Sequence, residues 1–306
     1  MKLMVLDGNS IVNRAYYGVR PLTTRDGFFT HAIFGFLTML SRLMDEEKPE
    51  ALCVAFDRRE PTFRHLEYEG YKATRHAMPE ELAMQMPVLK DVLDAMNIPR
   101  YELVGFEADD LIGTISRKCE KEGWDCVIAT GDKDSLQLVT DRTTVKLIST
   151  RMGQTTTKDM TPETFREAYG FDPVRIVDLK ALMGDASDNI PGVPGVGEKT
   201  AMALIQKYGS IDEIYRLLPG IDAKPNVIKK LTAGEESARR SFHLATIVTD
   251  APLEFAPQEN LRKAPSDVLY PLFMKLEFTK LIDKYGLKPA ADAPAAEEKV
   301  DLTVTA

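Results

Sequence analysis

Three short apolar runs in the first half of the chain each lead into acids. Lys2–Leu6 (KLMVL) meets Asp7, Ala51–Phe56 (ALCVAF) meets Asp57, and Cys126–Ala129 (CVIA) is followed by Asp132 and Asp134. Continuous apolar runs without alternation read as strands buried on both faces of a parallel sheet. Thr144–Ser149 reads as a further strand. Between these runs the spacing turns helical. Met78–Asn97 is an amphipathic helix whose methionines fill core, and Glu107 opens a helix that runs to about Lys121 and stops at Gly123. Lys199–Tyr208 is a helix that follows a run of small residues, PGVPGVG. Strands alternating with helices predict an α/β fold. Ligands of an open parallel sheet sit outside the carboxyl ends of its strands, so this pattern delivers acids from three strand ends to one rim. Capping of the next helix explains any one of these acids, but three together only poorly.

Composition refines the picture only a little. At 306 residues, 44% hydrophobic and 28% charged, the chain suits a soluble α/β body with a smaller lobe. No run approaches the ~20 apolar residues of a membrane span. The start, MKLMVLDGNS, lacks a secretory cleavage signal, so a cytoplasmic, nucleoid-associated location and no membrane partner are expected. Cys53, Cys119 and Cys126 show neither paired nor metal-type spacing and read as reduced core thiols. The net charge is −8, yet nine acids fall within the candidate motifs, and the tail from Pro289 carries four acids against one lysine. The remainder is net positive, so the acidic total does not exclude a nucleic-acid partner.

The nine acids are Asp7, Asp57, Glu107, Asp109, Asp110, Asp132, Asp134, Asp185 and Asp188. Acids in the first turn of a helix suit its dipole, but Glu107, Asp109 and Asp110 repel one another unless cations screen them. Asp185 and Asp188, three apart, are expected to share one helical face. Asp132 and Asp134 suit a loop that turns both toward one ion. An all-oxygen set without His or Cys points to Mg²⁺ or Mn²⁺, and so many carboxylates point to two ions. A pair of such ions clamps the attacking and leaving oxygens of a phosphodiester.

Substrate-facing features follow. Arg58–His76 holds five Lys/Arg against three Glu, with Phe63, Tyr68 and Tyr71 interleaved, which suits a phosphate backbone and stacked bases as well as it suits a solvated helix face. In "PGVPGVGEKTA" glycines open the backbone amides at a helix start to phosphate, and Lys199 adds a charge. A Walker A loop is excluded, because Glu198 stands where its lysine belongs.

"LDGNS", "FDRREPTFRHLEYEGYKATR", "GFEADDLIGT", "TGDKDSLQLV" and "LMGDASDNIPGVPGVGEKTA", in this order, resemble the 5′-nuclease domain family of bacterial DNA polymerase I, within the flap endonuclease superfamily. The resemblance runs from Lys2 to about Tyr285. It implies a mixed, mainly parallel sheet flanked by helices, with a helical arch at about 58–97 and a C-terminal helix–three-turn–helix lobe. Expected domains are a nuclease core over 1–175, the lobe over 176–288 and an Ala/Pro/acid-rich linker over 289–306. The resemblance assigns Asp7, Asp57, Glu107 and Asp109 to a first metal, with Asp110 close by, and Asp132, Asp134, Asp185 and Asp188 to a second. Lys72 and Arg75 are the implied catalytic cations of the arch. Arg14, Arg64, Tyr71, Gly192, Gly195, Gly197, Lys199 and Thr200 are the implied DNA contacts, with K⁺ at the hairpin. Implied substrates are DNA 5′ ends, flaps and nicks, and RNA primers on DNA, handled by a monomer with a polymerase domain following in the same chain. Two positions depart from the family pattern. Asn13 replaces an aromatic that stacks on a base, and His76-Ala77 follows Arg75 where relatives often have Pro. A non-catalytic binder of branched DNA is disfavoured by the full acid set. A haloacid-dehalogenase-type phosphatase is disfavoured by Asn9, where that chemistry needs Asp.

Overall fold

In the computed structural model the described residues are 1–151 and 154–289, so the expected linker lies outside them except for Pro289. A six-stranded sheet forms the centre: β1 (Lys2–Asp7), β2 (Ala51–Ala55), β3 (Arg100–Tyr101), β4 (Asp125–Thr130), β5 (Thr143–Arg151) and β6 (Gln154–Met160). The strand order is β3-β2-β1-β4-β5-β6. β3, β2, β1, β4 and β5 are mutually parallel, and β6 returns antiparallel along β5. The chain moves outward from β1 to β3 and then crosses back to lay β4 on the other side of β1. The direction of winding therefore reverses between β1 and β4, where open α/β sheets form their ligand crevice.

Thirteen α-helices surround the sheet among the described residues. They are α1 (Gly8–Gly18), α2 (His31–Glu47), α3 (Phe63–Glu67), α4 (Glu80–Ala95), α5 (Ala108–Lys121), α6 (Pro162–Tyr169), α7 (Ile176–Met183), α8 (Glu198–Tyr208), α9 (Ile211–Leu217), α10 (Pro225–Ala233), α11 (Glu235–Ala245), α12 (Leu269–Lys275) and α13 (Thr279–Tyr285). Alternate residues of β1 face opposite layers, which is why the run carries no polar alternation. Leu3 and Val5 join the core built with α5 and the C-terminal helices α7, α8 and α11. Met4 and Leu6 join the core built with α1, α2, α4 and α12. No helix among the described residues is long and apolar enough to cross a membrane.

The arch, expected over about 58–97, is helical only in part. Only α3 and α4 are α-helical there, and residues 68–79 between them run as turns and irregular backbone, with Lys72 left-handed at φ 53°. Asp185 and Asp188 do not share a helical face either. Gly184, at φ 77° and ψ 179°, ends α7, and Asp185 instead closes a turn by exchanging backbone hydrogen bonds with Ile190.

Candidate active site

The strand ends do converge. Asp7 ends β1 and caps α1, where its carboxylate accepts from the Ser10 amide at 2.9 Å and from Thr130 Oγ1, at the end of β4, at 2.7 Å. Asp57 lies just past β2 and accepts from the Ala108 amide at the start of α5, at 2.7 Å. Asp109 projects from the first turn of α5, and Asp132 follows β4. Asp7, Asp57, Asp109 and Asp132 line one cleft of about 540 Å³ together with Lys72, Arg75 and His76 of the arch segment.

Cations divide the remaining acids into two further groups. Lys72 Nζ donates to Glu107 Oε1 at 2.6 Å, and Arg75 donates to Asp188 Oδ1 at 2.5 Å. The Tyr71 hydroxyl donates to Glu107 at 2.9 Å and lies 3.2 Å from Asp188, so the arch segment rests directly on two acids. On the other side, Lys180 of α7 bridges Asp134 and Asp185, the latter at 2.5 Å. Arg14 lines a second cleft with Asp132, Asp134, Lys180 and Asp185, its guanidinium on the Gly131 carbonyl at 2.7 Å.

Burial and mutual repulsion set the protonation of these acids. Burial pushes Asp7 up to about 7, with repulsion from Asp57 and Asp132 outweighed in part by the Ser10 and Thr130 hydrogen bonds. Burial also raises Asp57. Asp109 stands well above the usual carboxylate range because it is buried facing Asp7, Asp132 and Asp134. Asp134 and Asp185 share Lys180 yet move in opposite directions. Desolvation and Asp132 lift the partly buried Asp134 to about 7, whereas at Asp185 the attraction of Lys180 and hydrogen bonds from Ser187 outweigh desolvation and bring it to about 2.

The donor set fits a hard divalent cation. Asp109 Oδ1 is sealed from solvent and has no hydrogen-bond partner among the described residues. A buried carboxylate oxygen left unpaired costs free energy that a cation removes. Among the described residues no three of the acids are already gathered into one coordination shell. The reason is visible in the ion pairs, since Lys72, Arg75 and Lys180 each draw carboxylates away from a common centre.

The small-residue hairpin lies between α7 and α8. Gly197 caps α8 and is exposed, and a side chain there would meet nothing within 4 Å. Lys199 is exposed one residue into the helix, and Thr200 is partly exposed beside it. Gly192 is different. It is buried at φ 64°, its amide donates to Ser241 Oγ at 2.9 Å, and its carbonyl accepts from Ser237. A Cβ at Gly192 would stand 2.2 Å from the Gly184 amide, so this glycine serves close backbone packing rather than ligand approach. Its carbonyl and those of Val193, Gly195 and Gly197 each accept a hydrogen bond.

Residues 2–170 match the 5′-3′ exonuclease N-terminal resolvase-like domain, and residues 171–268 match the 5′-3′ exonuclease C-terminal SAM fold. The chain belongs to the 5′-3′ exonuclease family. It is thus a phosphodiester-hydrolysing nuclease. This exonuclease is 41% identical over 304 residues to DNA polymerase I of Caldicellulosiruptor bescii, covering 99% of this chain and 35% of that protein. It is 40% identical to DNA polymerase I of Bacillus subtilis, covering 99% and 34%. The chain thus spans about a third of the length of these relatives. Its fold resembles the bacteriophage T5 D15 protein co-crystallised with metal ions, at 22% identity and TM-score 0.65, covering 93% of this chain and 97% of that one. It also resembles the catalytic core of Rad2 in complex with DNA substrate, at 15% identity and TM-score 0.61, covering 93% and 90%.

Two residues of the expected site are paired with each other. Arg64, expected to contact DNA, is 2% exposed and makes a bidentate pair with Asp110, 2.8 Å at each oxygen. Its remaining donors go to the Leu244 and Thr246 carbonyls and to Glu107. Asp110, expected near the metal, is fully buried, and its two oxygens also accept from the Glu107 and Val248 amides. Both are consumed in tying the arch and α5 to the end of α11. Sequence reasoning missed Lys180. The signal available was a lysine inside the apolar run IVDLKALM, since a buried ammonium must have anionic partners.

Proposed function

We propose that this exonuclease removes nucleotides from DNA 5′ ends and cuts 5′ flaps with Mg²⁺ or Mn²⁺, acting on nicks and on RNA primers paired with DNA. The observation that carries the reading is the buried, unpartnered Asp109 Oδ1 facing acids from separate strand ends. Asp7, Asp57, Asp109 and Asp132, with Glu107 beside them, would hold one cation, and Asp134 and Asp185 would hold a second as Lys180 yields. When bound, such ions supply a nucleophilic hydroxide and neutralise charge on the phosphodiester.

The chain's own groups do the positioning. Lys72 and Arg75 exchange Glu107 and Asp188 for the scissile phosphate, each trading one anion for another at little electrostatic cost. Tyr71, whose phenol is held neutral by burial and by Glu107 and Asp188, keeps Glu107 oriented while the cations move. Asn9 donates no charge but fixes the Asp57 backbone, accepting from its amide at 3.0 Å. Exposed Lys199 and the α8 start take duplex backbone without reading sequence. The DNA polymerase I relatives support a polymerase portion in the same natural chain. A test is product mapping on 5′-flap, 3′-flap and blunt duplexes labelled at either end. Release from 5′ ends and flaps alone, leaving 5′-phosphates, is expected. Equal release from 3′ ends would reject the reading.

A further inference from the structure

We infer that Lys230 is a tethered cation of the hairpin, acting with Lys199 on the backbone phosphates of duplex DNA. The inference deepens the proposed function and rests on it. Lys230 lies in the last turn of α10, and its Nζ donates to the Gly195 carbonyl at 2.7 Å. Gly195 is exposed and left-handed at φ 78°, and a Cβ there would meet Lys230 Nζ at 2.8 Å and Cε at 3.0 Å. The lysine stem therefore lies across the bare face of this glycine.

The electrostatic consequence is specific. A phosphate approaching the Gly197–Lys199 amides is attracted by the helix start but repelled by any carbonyl oxygen turned to the same surface. The Gly195 carbonyl, two residues before the cap of α8, is exposed and takes the Lys230 ammonium. An ammonium has three donors, and the carbonyl uses one. Lys230 thus covers a repulsive oxygen and leaves two donors and a full charge for phosphate. The same contact does at Gly195 what a bound monovalent cation would do, so duplex binding is expected not to need K⁺. Gly192 and the two serines of α11 hold the hairpin in place independently, so removing the ammonium leaves the fold intact.

The test is fluorescence anisotropy of a flapped duplex with the full chain in EDTA, titrated with salt, for wild type, Lys230→Met, Lys199→Ala and the double variant. Lys230→Met should weaken duplex binding roughly fivefold, flatten the slope of log affinity against log salt by about 0.9, and leave single-strand binding and melting temperature unchanged. The double variant should lose about twice that slope. Wild type should bind equally in K⁺ and in tetramethylammonium at matched ionic strength, whereas Lys230→Met should gain from K⁺. An unchanged slope for Lys230→Met, a fall in melting temperature alongside lost binding, or K⁺-dependent wild-type binding would each overturn the inference while Lys199→Ala still upholds the hairpin as a DNA contact. Wild type that binds no duplex would overturn both.

Discussion

Replacing Arg64 with Met should unfold the protein at markedly lower temperature without first acting on DNA. Methionine fills most of the arginine's volume, so the loss is electrostatic. The Asp110 carboxylate, 0% exposed, would keep only the Glu107 and Val248 amides at 3.0 and 2.9 Å, and the Leu244 and Thr246 carbonyls would lose their donors. Breaking one side of a buried pair costs about 3–5 kcal/mol. For 306 residues the unfolding entropy is about 0.6 kcal/mol/K, so the melting temperature should fall by about 5–8 °C. Scanning calorimetry of wild type, Arg64→Met, Asp110→Leu and the double variant measures this. The double variant should recover a large part of the loss, because neither charge is then left unpaired. An unchanged melting temperature for Arg64→Met, with weakened flap binding, would refute the structural role and restore Arg64 as a DNA contact.

Acidity should act in an uncommon direction. Asp7 and Asp134 hold their protons to about pH 7 in the folded chain, above their ordinary value of 3.8. Stability from their neutral forms is complete below about pH 4 and is lost as pH rises through about 7, and Mg²⁺ should restore it by favouring the ionised forms. Thermal melts between about pH 5 and about pH 8 check this, and stability that rises with pH in EDTA would refute it. Gly192→Ala should destabilise by about 2 kcal/mol or more, since its Cβ would stand 2.2 Å from a backbone nitrogen at positive φ. Gly197→Val, at φ −93° with open space around it, should keep its melting temperature and lose duplex affinity. The reverse pattern in the two variants would contradict the division of labour within the hairpin.

The sheet and its acid rim were legible because buried parallel strands must be continuously apolar, which makes an acid at their end conspicuous. Leu3 and Val5 face one layer and Met4 and Leu6 the other, so nothing polar interrupts the run before Asp7. The start of α8 was legible from its glycines. β6 was not foreseen, since its sequence QTTTKDM is that of a polar edge strand supported by β5 on one side only. Arg64 was expected to contact DNA and Asp110 to sit near the metal, because sequence does not show that α11 ends against them. The same blindness hid Lys180, and it placed Asp185 and Asp188 on a helix that Gly184 in fact terminates.

The most direct measurement is cleavage of a 5′-labelled flap against Mg²⁺ concentration for wild type and Asp109→Asn, with flap affinity measured in parallel in EDTA. Wild type should be silent in EDTA and gain activity as Mg²⁺ is added. Asp109→Asn should bind the flap in EDTA about as tightly as wild type, since the metal-free Asp109 carboxyl already stands well above the usual carboxylate range, and cut it at least about a hundredfold more slowly at any Mg²⁺ concentration. Undiminished cleavage in EDTA, or full activity in Asp109→Asn, would contradict the assignment of the acid rim as the metal-dependent nuclease centre.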